Sequence, residues 1–229
     1  MTASERKSFI VRSIVAIILA SVTVIPVMSM NTVVAQDQKS IQLPKPEITG
    51  NPLMEIIAKR NSSRQFSSEP LPENVLSNML WAAFGINRPD TGKRTAPSAM
   101  NRQEIDVYVA TAKGIYLYEA RLHSLKLIAA GDLRALTGKQ DFVKNAAVNL
   151  IYVADYSKMS GPTEQAKALY TAADTGFISE NVYLYCASAG LATVVRAYID
   201  VPTLSVAMKL KDDQKIILAQ SVGYPKRGR

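Results

Sequence analysis

The sequence predicts an α+β sandwich, a mixed central sheet flanked by helices, and three stretches point to it. Residues 147–154 are a nearly continuous apolar run of strand length, the pattern of a strand buried on both faces. Residues 105–111 alternate apolar and polar side chains, the period of a half-buried strand. Residues 162–189 read as one helix of roughly 40 Å, at about 1.5 Å per residue. A chain of 229 residues, 48% of them hydrophobic, can bury one good core and hardly two. The reading is one domain, residues 51–229, behind an N-terminal segment.

That segment begins with Arg6, Lys7 and Arg12 and continues as an uncharged run from Ser13 to Ala35, apolar in its centre. Residues 1–35 read as a signal peptide cleaved after Ala35, or as an uncleaved N-terminal membrane anchor, since 23 residues exceed the roughly 20 that span a bilayer. Pro26, Ser29 and Asn31 favour cleavage. Positive charge ahead of the apolar run predicts an exported domain, periplasmic or secreted, under both readings. Residues 5–11 resemble a twin-arginine export signal with lysine as its second basic residue; a generic basic segment is the plainer reading.

Residues 36–50, with Pro44, Pro46 and Gly50, read as a linker or an arm lying on a partner. Asn51 and Pro52 start a first helix whose face is Leu53, Ile56 and Ile57. A second helix, residues 72–84, puts Val75, Leu76, Met79, Leu80 and Phe84 on one side and stops at Gly85; Trp81 reads as core. Residues 116–118 and 125–129 form a hairpin or sheet edge. In the long helix, Ala172, Ala173 and Gly176 permit close backbone approach. Phe177, Ile178, Val182, Tyr183 and Leu184 leave too few polar positions for a surface helix, which predicts burial at a dimer interface. Residues 193–199 and 215–222 add two strands, with a short helix at 202–210 between them.

Composition excludes several chemistries. Cys186 is the only cysteine, so no intrachain disulfide forms, and with His123, in a polar turn, the only histidine, neither a multi-histidine metal site nor a serine-histidine triad centred in the core is expected. The formal charge is +8, of which the first 35 residues carry +2, and the remaining cations are not interleaved with aromatics as a nucleic-acid surface requires. Local attraction for an anion accounts for them.

The loop Arg60-Asn61-Ser62-Ser63-Arg64-Gln65-Phe66 joins two guanidinium forks to several hydroxyls, a donor set suited to a phosphate or a ring carbonyl; a solvated basic loop is the alternative. Downstream lie Ala96-Pro97-Ser98-Ala99-Met100-Asn101-Arg102-Gln103, Asp174-Thr175-Gly176 followed by Glu180-Asn181, Ser188-Ala189-Gly190-Leu191-Ala192-Thr193, and Val222-Gly223-Tyr224-Pro225-Lys226-Arg227. In this order and spacing they resemble the FMN-dependent nitroreductase family, with its R-x-S-x-R-x-F, P-S-x-x-N-x-Q, G-x-x-x-Q-N and G-Y-P motifs. The resemblance covers about residues 51–227. The stretch 114–134 is similar to the branch containing azoline dehydrogenases of thiazole- and oxazole-forming synthetases.

The resemblance implies a nitroreductase-like sandwich, a homodimer with the long helix at its interface, and FMN. Arg60 and Ser62 would take the phosphate end, and Arg64 the pyrimidine edge, where it favours the reduced anion. Pro97 and Ser98 would supply backbone contacts, often across the dimer, and Asn101 would read a ribityl hydroxyl or a ring amide. Lys226 and Arg227 stand where relatives bind phosphate, or form a basic tail. Arg196 belongs to the segment (Val195-Arg196-Ala197) that aims an N–H at flavin N5; it either crowds the ring or binds an anionic substrate. Lys167 and Tyr170 match the acid–base pair of azoline dehydrogenases, or are a solvated lysine and a packed tyrosine. Departures are Glu104-Ile105 for Pro-Trp, Ala192 for glycine and Glu180 for glutamine. The implied activity is hydride transfer between a donor and a nitroaromatic, quinone or azoline-like acceptor. NAD(P)H serves classical members but is scarce outside the cell, so a quinol, a redox partner or direct substrate dehydrogenation is expected. The alternative is a flavin carrier or a partner-dependent subunit of a modification system.

Overall fold

Seven strands form one sheet in the order β1-β6-β5-β4-β7-β9-β8, described for residues 40–226 of a computed structural model. The predicted signal or anchor segment, the start of the arm and Arg227 lie outside the described residues. The strands are β1 (Ser40–Gln42), β4 (Ile105–Thr111), β5 (Gly114–Glu119), β6 (Ser124–Ala130), β7 (Val148–Asp155), β8 (Ala192–Arg196) and β9 (Gln214–Gly223). A small hairpin, β2 (Ile86–Arg88) and β3 (Lys93–Arg94), stands apart. The helices are α1 (Leu53–Lys59), α2 (Glu73–Phe84), α3 (Glu164–Ala189) and α4 (Val201–Ala207).

The α+β class is as expected, but the sheet is not mixed: every pairing is antiparallel. The long helix α3 carries the chain from β7 to β8, and these two strands do run in the same direction. Yet β9 returns between them and pairs antiparallel with both. A crossover helix suggests parallel neighbours only if nothing is inserted later, and sequence order does not reveal the insertion.

Alternation in the strands assigns the two faces. Val107, Val109, Leu150 and Tyr152 point to one side and pack on Leu76, Met79, Leu80, Ala83 and Phe84 of α2 and on Ile178, Val182 and Cys186 of α3. Tyr108, Ala110, Ile151 and Val153 point to the other, under Leu204 and Met208. Each fully buried side chain of this size contributes about 1.5–3 kcal/mol. The strand β7 is thus largely apolar, with Asn149 as its one fully buried polar side chain, because both of its faces are covered.

Helix ends follow the sequence. Thr163 caps α3 by accepting from the Ala166 N–H, and Gly190, at φ 68°, ends it in the left-handed region. Asn51 does not cap α1; its amide donates to the Ser188 carbonyl and so ties the arm to α3. The arm itself is partly ordered as β1, an edge strand on β6, rather than a plain linker. The α1 face is not covered in this chain, with Leu53, Met54 and Ile57 exposed. Trp81 is only half-buried and donates to the Ile86 carbonyl.

Candidate functional site

The basic loop that follows α1 is fastened to the sheet along its length. The Ser63 N–H donates to the Thr193 carbonyl of β8 (2.9 Å), the Lys226 N–H to the Gln65 carbonyl (3.1 Å) and the Ser67 N–H to the Tyr224 carbonyl (2.9 Å). Phe66 is driven inward and buried against Phe142, Ala146, Ala192 and Val194. These ties fix the backbone while leaving the polar side chains outside. Arg60, Ser62, Arg64 and Lys226 are all exposed, and none of the three cations joins an ion pair among the described residues.

Tyr183 of α3 organises the start of this loop. Its hydroxyl lies 2.8 Å from Ser62 Oγ and accepts the Val195 N–H at 2.9 Å, and the Arg60 guanidinium sits 5.4 Å from its ring centroid. Tyr183 reads as an apolar helix residue in sequence, so this role is visible only once α3 and β8 are neighbours. The Val195 N–H is therefore engaged by Tyr183 rather than turned outward.

A second cluster gathers around residues 97–103. Met100, Asn101 and Gln103 all have positive φ, at 54°, 54° and 51°. Such conformations cost non-glycine residues roughly 1 kcal/mol or more each, and they persist because the loop is tied elsewhere. The Gln103 N–H donates to Ser98 Oγ, the Gln103 amide donates to Asn101 Oδ1 and accepts from Arg94 Nε, and the Ala99 N–H donates to Asp174 Oδ2 at 2.8 Å. Met100 is left 82% exposed and Asn101 exposed beside it; Pro97 is also exposed. Beneath the loop, Glu104 is fully buried, and neither carboxylate oxygen has a hydrogen-bond partner.

The two clusters are anchored at different points along α3. Asp174 anchors the second and Tyr183 the first, nine residues apart on α3, a separation of about 14 Å.

Arg196 belongs to neither, which corrects the expectation that it faces the flavin. It lies on β8 with Ala192 and Val194, on the opposite face of the sheet from Thr193 and α3. There it is 6% exposed and donates to Ser221 Oγ, Asn149 Oδ1 and both the carbonyl and hydroxyl of Thr137. Burial lowers its pKa to about 10, so it stays charged at neutral pH. Strand parity decides this: shifting by one residue along β8 changes the face.

Lys167 and Tyr170 are not joined to each other in this chain. Lys167 pairs with Glu164 at 2.8 Å and lies over the Tyr156 ring, and no hydrogen bond joins it to Tyr170, which is exposed. A groove of about 720 Å³ runs between the arm, α1, α2 and α3, lined by Ile56, Trp81, Asn181 and Tyr185 among others, but by none of the cations. Sequence reading missed Tyr183, Asp174 and Gln103 as organisers of the two loops. Asp174 carried a signal, a carboxylate in an otherwise small and apolar stretch of helix.

Residues 57–224 match a family model described as the nitroreductase family. A curated protein of Methanocaldococcus jannaschii named a candidate nitroreductase is 32% identical over 175 residues, 72% of this chain and 87% of that protein. The crystal structure of a candidate nitroreductase from Ralstonia eutropha has a TM-score of 0.80 at 42% identity, covering 85% of this chain and 93% of its own. One from Desulfovibrio desulfuricans, solved in complex with FMN, shares the fold at 21% identity, with a TM-score of 0.57 over 78% of this chain and 89% of that one.

Proposed function

The chain belongs to the nitroreductase family, and from that premise we propose that it is a homodimeric FMN-dependent oxidoreductase whose two half-sites face each other across the dimer. The observation that carries the reading is the backbone-anchored Arg60–Arg64 loop with its exposed cations. This donor set fits a phosphorylated, anionic ring system. Arg60, Ser62 and Lys226 would hold the phosphate end, and Arg64 the pyrimidine edge. FMN held there would supply two-electron hydride chemistry between a donor and an organic acceptor.

The chain's own residues supply position and charge. Tyr183 holds Ser62 and the Arg60 guanidinium in place, so little ordering is left for binding to accomplish. Arg64 favours negative charge on the ring edge. The 97–103 loop is anchored about 14 Å away along α3, and the exposed small residues Ala172, Ala173 and Gly176 would let a second α3 approach closely. The partner's copy of the loop then closes the site.

With an exported domain, the donor is a quinol or a redox protein rather than NAD(P)H, and the acceptor a nitroaromatic, quinone or azoline-like compound. The test is the absorption spectrum of the purified protein, followed by steady-state turnover with quinone and nitroaromatic acceptors. A flavin spectrum with turnover is expected. A colourless protein that ignores added FMN overturns the reading. Flavin without turnover makes the chain a subunit that needs a partner.

A further inference from the structure

The strained 97–103 loop rests on two buried carboxyl groups. Glu104 has no exposed surface and no hydrogen-bond partner for either oxygen, and Asp174, 2% exposed, accepts the Ala99 N–H. A buried carboxylate without partners costs several kcal/mol, and a second one beside it costs more, so the pair is stable only if one member keeps its proton. Burial first, and Asp174 second, push the Glu104 carboxyl up to about 7. The charged groups facing it are Asp174 from α3 and Lys158 from the turn after β7. Lys158 opposes the shift, but its ammonium is shared with Asp106 at 2.8 Å and Asp155 at 3.9 Å.

We propose that Glu104 keeps its proton and gives the O–H to Asp174, and that this contact is a positioning device: it keeps Asp174 aimed at the Ala99 N–H and so holds residues 97–103 in the shape, with three left-handed residues, that presents Asn101. Neutral Glu104 has an O–H to give and Asp174 an oxygen to receive it, while the other Asp174 oxygen stays on the loop. Loss of the proton sets two anions side by side in a dry site. The carboxylates separate, the Ala99 contact opens, and three residues with positive φ lose a restraint. The loop's role toward flavin rests on the proposed function; its dependence on the carboxyl pair does not.

The test has a flavin-free arm and a flavin arm, both on the full chain. Hydrogen exchange gives the Ala99 amide protection factor at about pH 6 and about pH 8.5 in the wild type and in Glu104→Gln, whose amide donates at any pH. Protection is expected to fall about tenfold in the wild type and to stay level in Glu104→Gln. Equal slopes in the two proteins overturn the proposal. FMN affinity is then titrated at the same two pH values. The phosphate's own ionisation affects both proteins alike, so a wild-type loss of about fivefold beyond that of Glu104→Gln is expected. If FMN does not bind at all, the proposed function fails while the exchange arm still reads the pair. Should Glu104→Gln not fold, the carbon-13 carboxyl titration of Glu104 in the wild type decides: a midpoint near 7 supports the retained proton, and one below about 5 overturns it.

Discussion

Arg64 and Arg196 are both arginines beside the same strand, and their surroundings give them different work. Arg64 is exposed on a loop whose backbone is already satisfied, so its guanidinium is available to a ligand. Arg64→Ala should lower the flavin reduction potential, by about 30 mV for each 1.4 kcal/mol of lost preference for the reduced form. Redox titration of the bound flavin reads this, and an unchanged potential assigns Arg64 to affinity alone. Arg196 has spent its donors on Ser221, Asn149 and Thr137. Replacing it with methionine strands those buried acceptors at a cost of about 3 kcal/mol, read as a lower urea midpoint. FMN affinity should stay within about twofold, because the guanidinium is buried with its donors engaged by Ser221, Asn149 and Thr137 and is not among the exposed cations.

Among the elements, the ends of α3 and the strap formed by β1 depend on single groups. Gly190 has nothing within 4 Å of where a Cβ would stand, so Gly190→Ala isolates the cost of a left-handed alanine, about 1 kcal/mol in thermal or urea unfolding. The strap is held through His123. The Ser77 hydroxyl donates to the Pro44 carbonyl at 2.6 Å, so the His123 Nε2–H donates to Ser77 and Nδ1 accepts from the Tyr118 hydroxyl. Burial lowers the His123 pKa below its ordinary 6.5, so the unfolded chain takes up a proton first as pH falls. Stability is present above pH 6.5 and is lost progressively below it, and His123→Phe should flatten that slope in unfolding measurements across the same range. Sequence placed His123 in a polar turn, which is correct for the backbone. It could not show that Ser77 and Pro44, far off in the chain, complete the network.

For the whole molecule, the apolar surface left open by one chain carries the argument for two. Leu53, Met54 and Ile57 of α1, Leu169 and Phe177 of α3, and Met100 are between 48% and 82% exposed. Isolated exposed side chains mean little, but these cluster on α1, α3 and the loop tied to α3, and exposed apolar clusters mark interaction surfaces. Phe177→Glu should give a monomer in sedimentation velocity and weaken FMN at least about tenfold, since a charge buried in an apolar interface is costly. A monomer that binds FMN as tightly as the parent would show that one chain holds the whole site.

By itself the sequence determined which segments become helix and strand, because periodicity, caps and glycine stops act over a few residues: 105–111, 147–154 and the span from Thr163 to Gly190 needed no distant partner. It also determined the basic loop, whose donor chemistry is local. Only the tertiary structure decided which way neighbouring strands run, since β9, the last strand in sequence, lies between β7 and β8. Only it decided that Arg196 faces the interior, that Tyr183 braces Ser62, and that Glu104 lies against Asp174. Those outcomes depend on strand parity and on contacts between residues dozens of positions apart, and no local pattern encodes them.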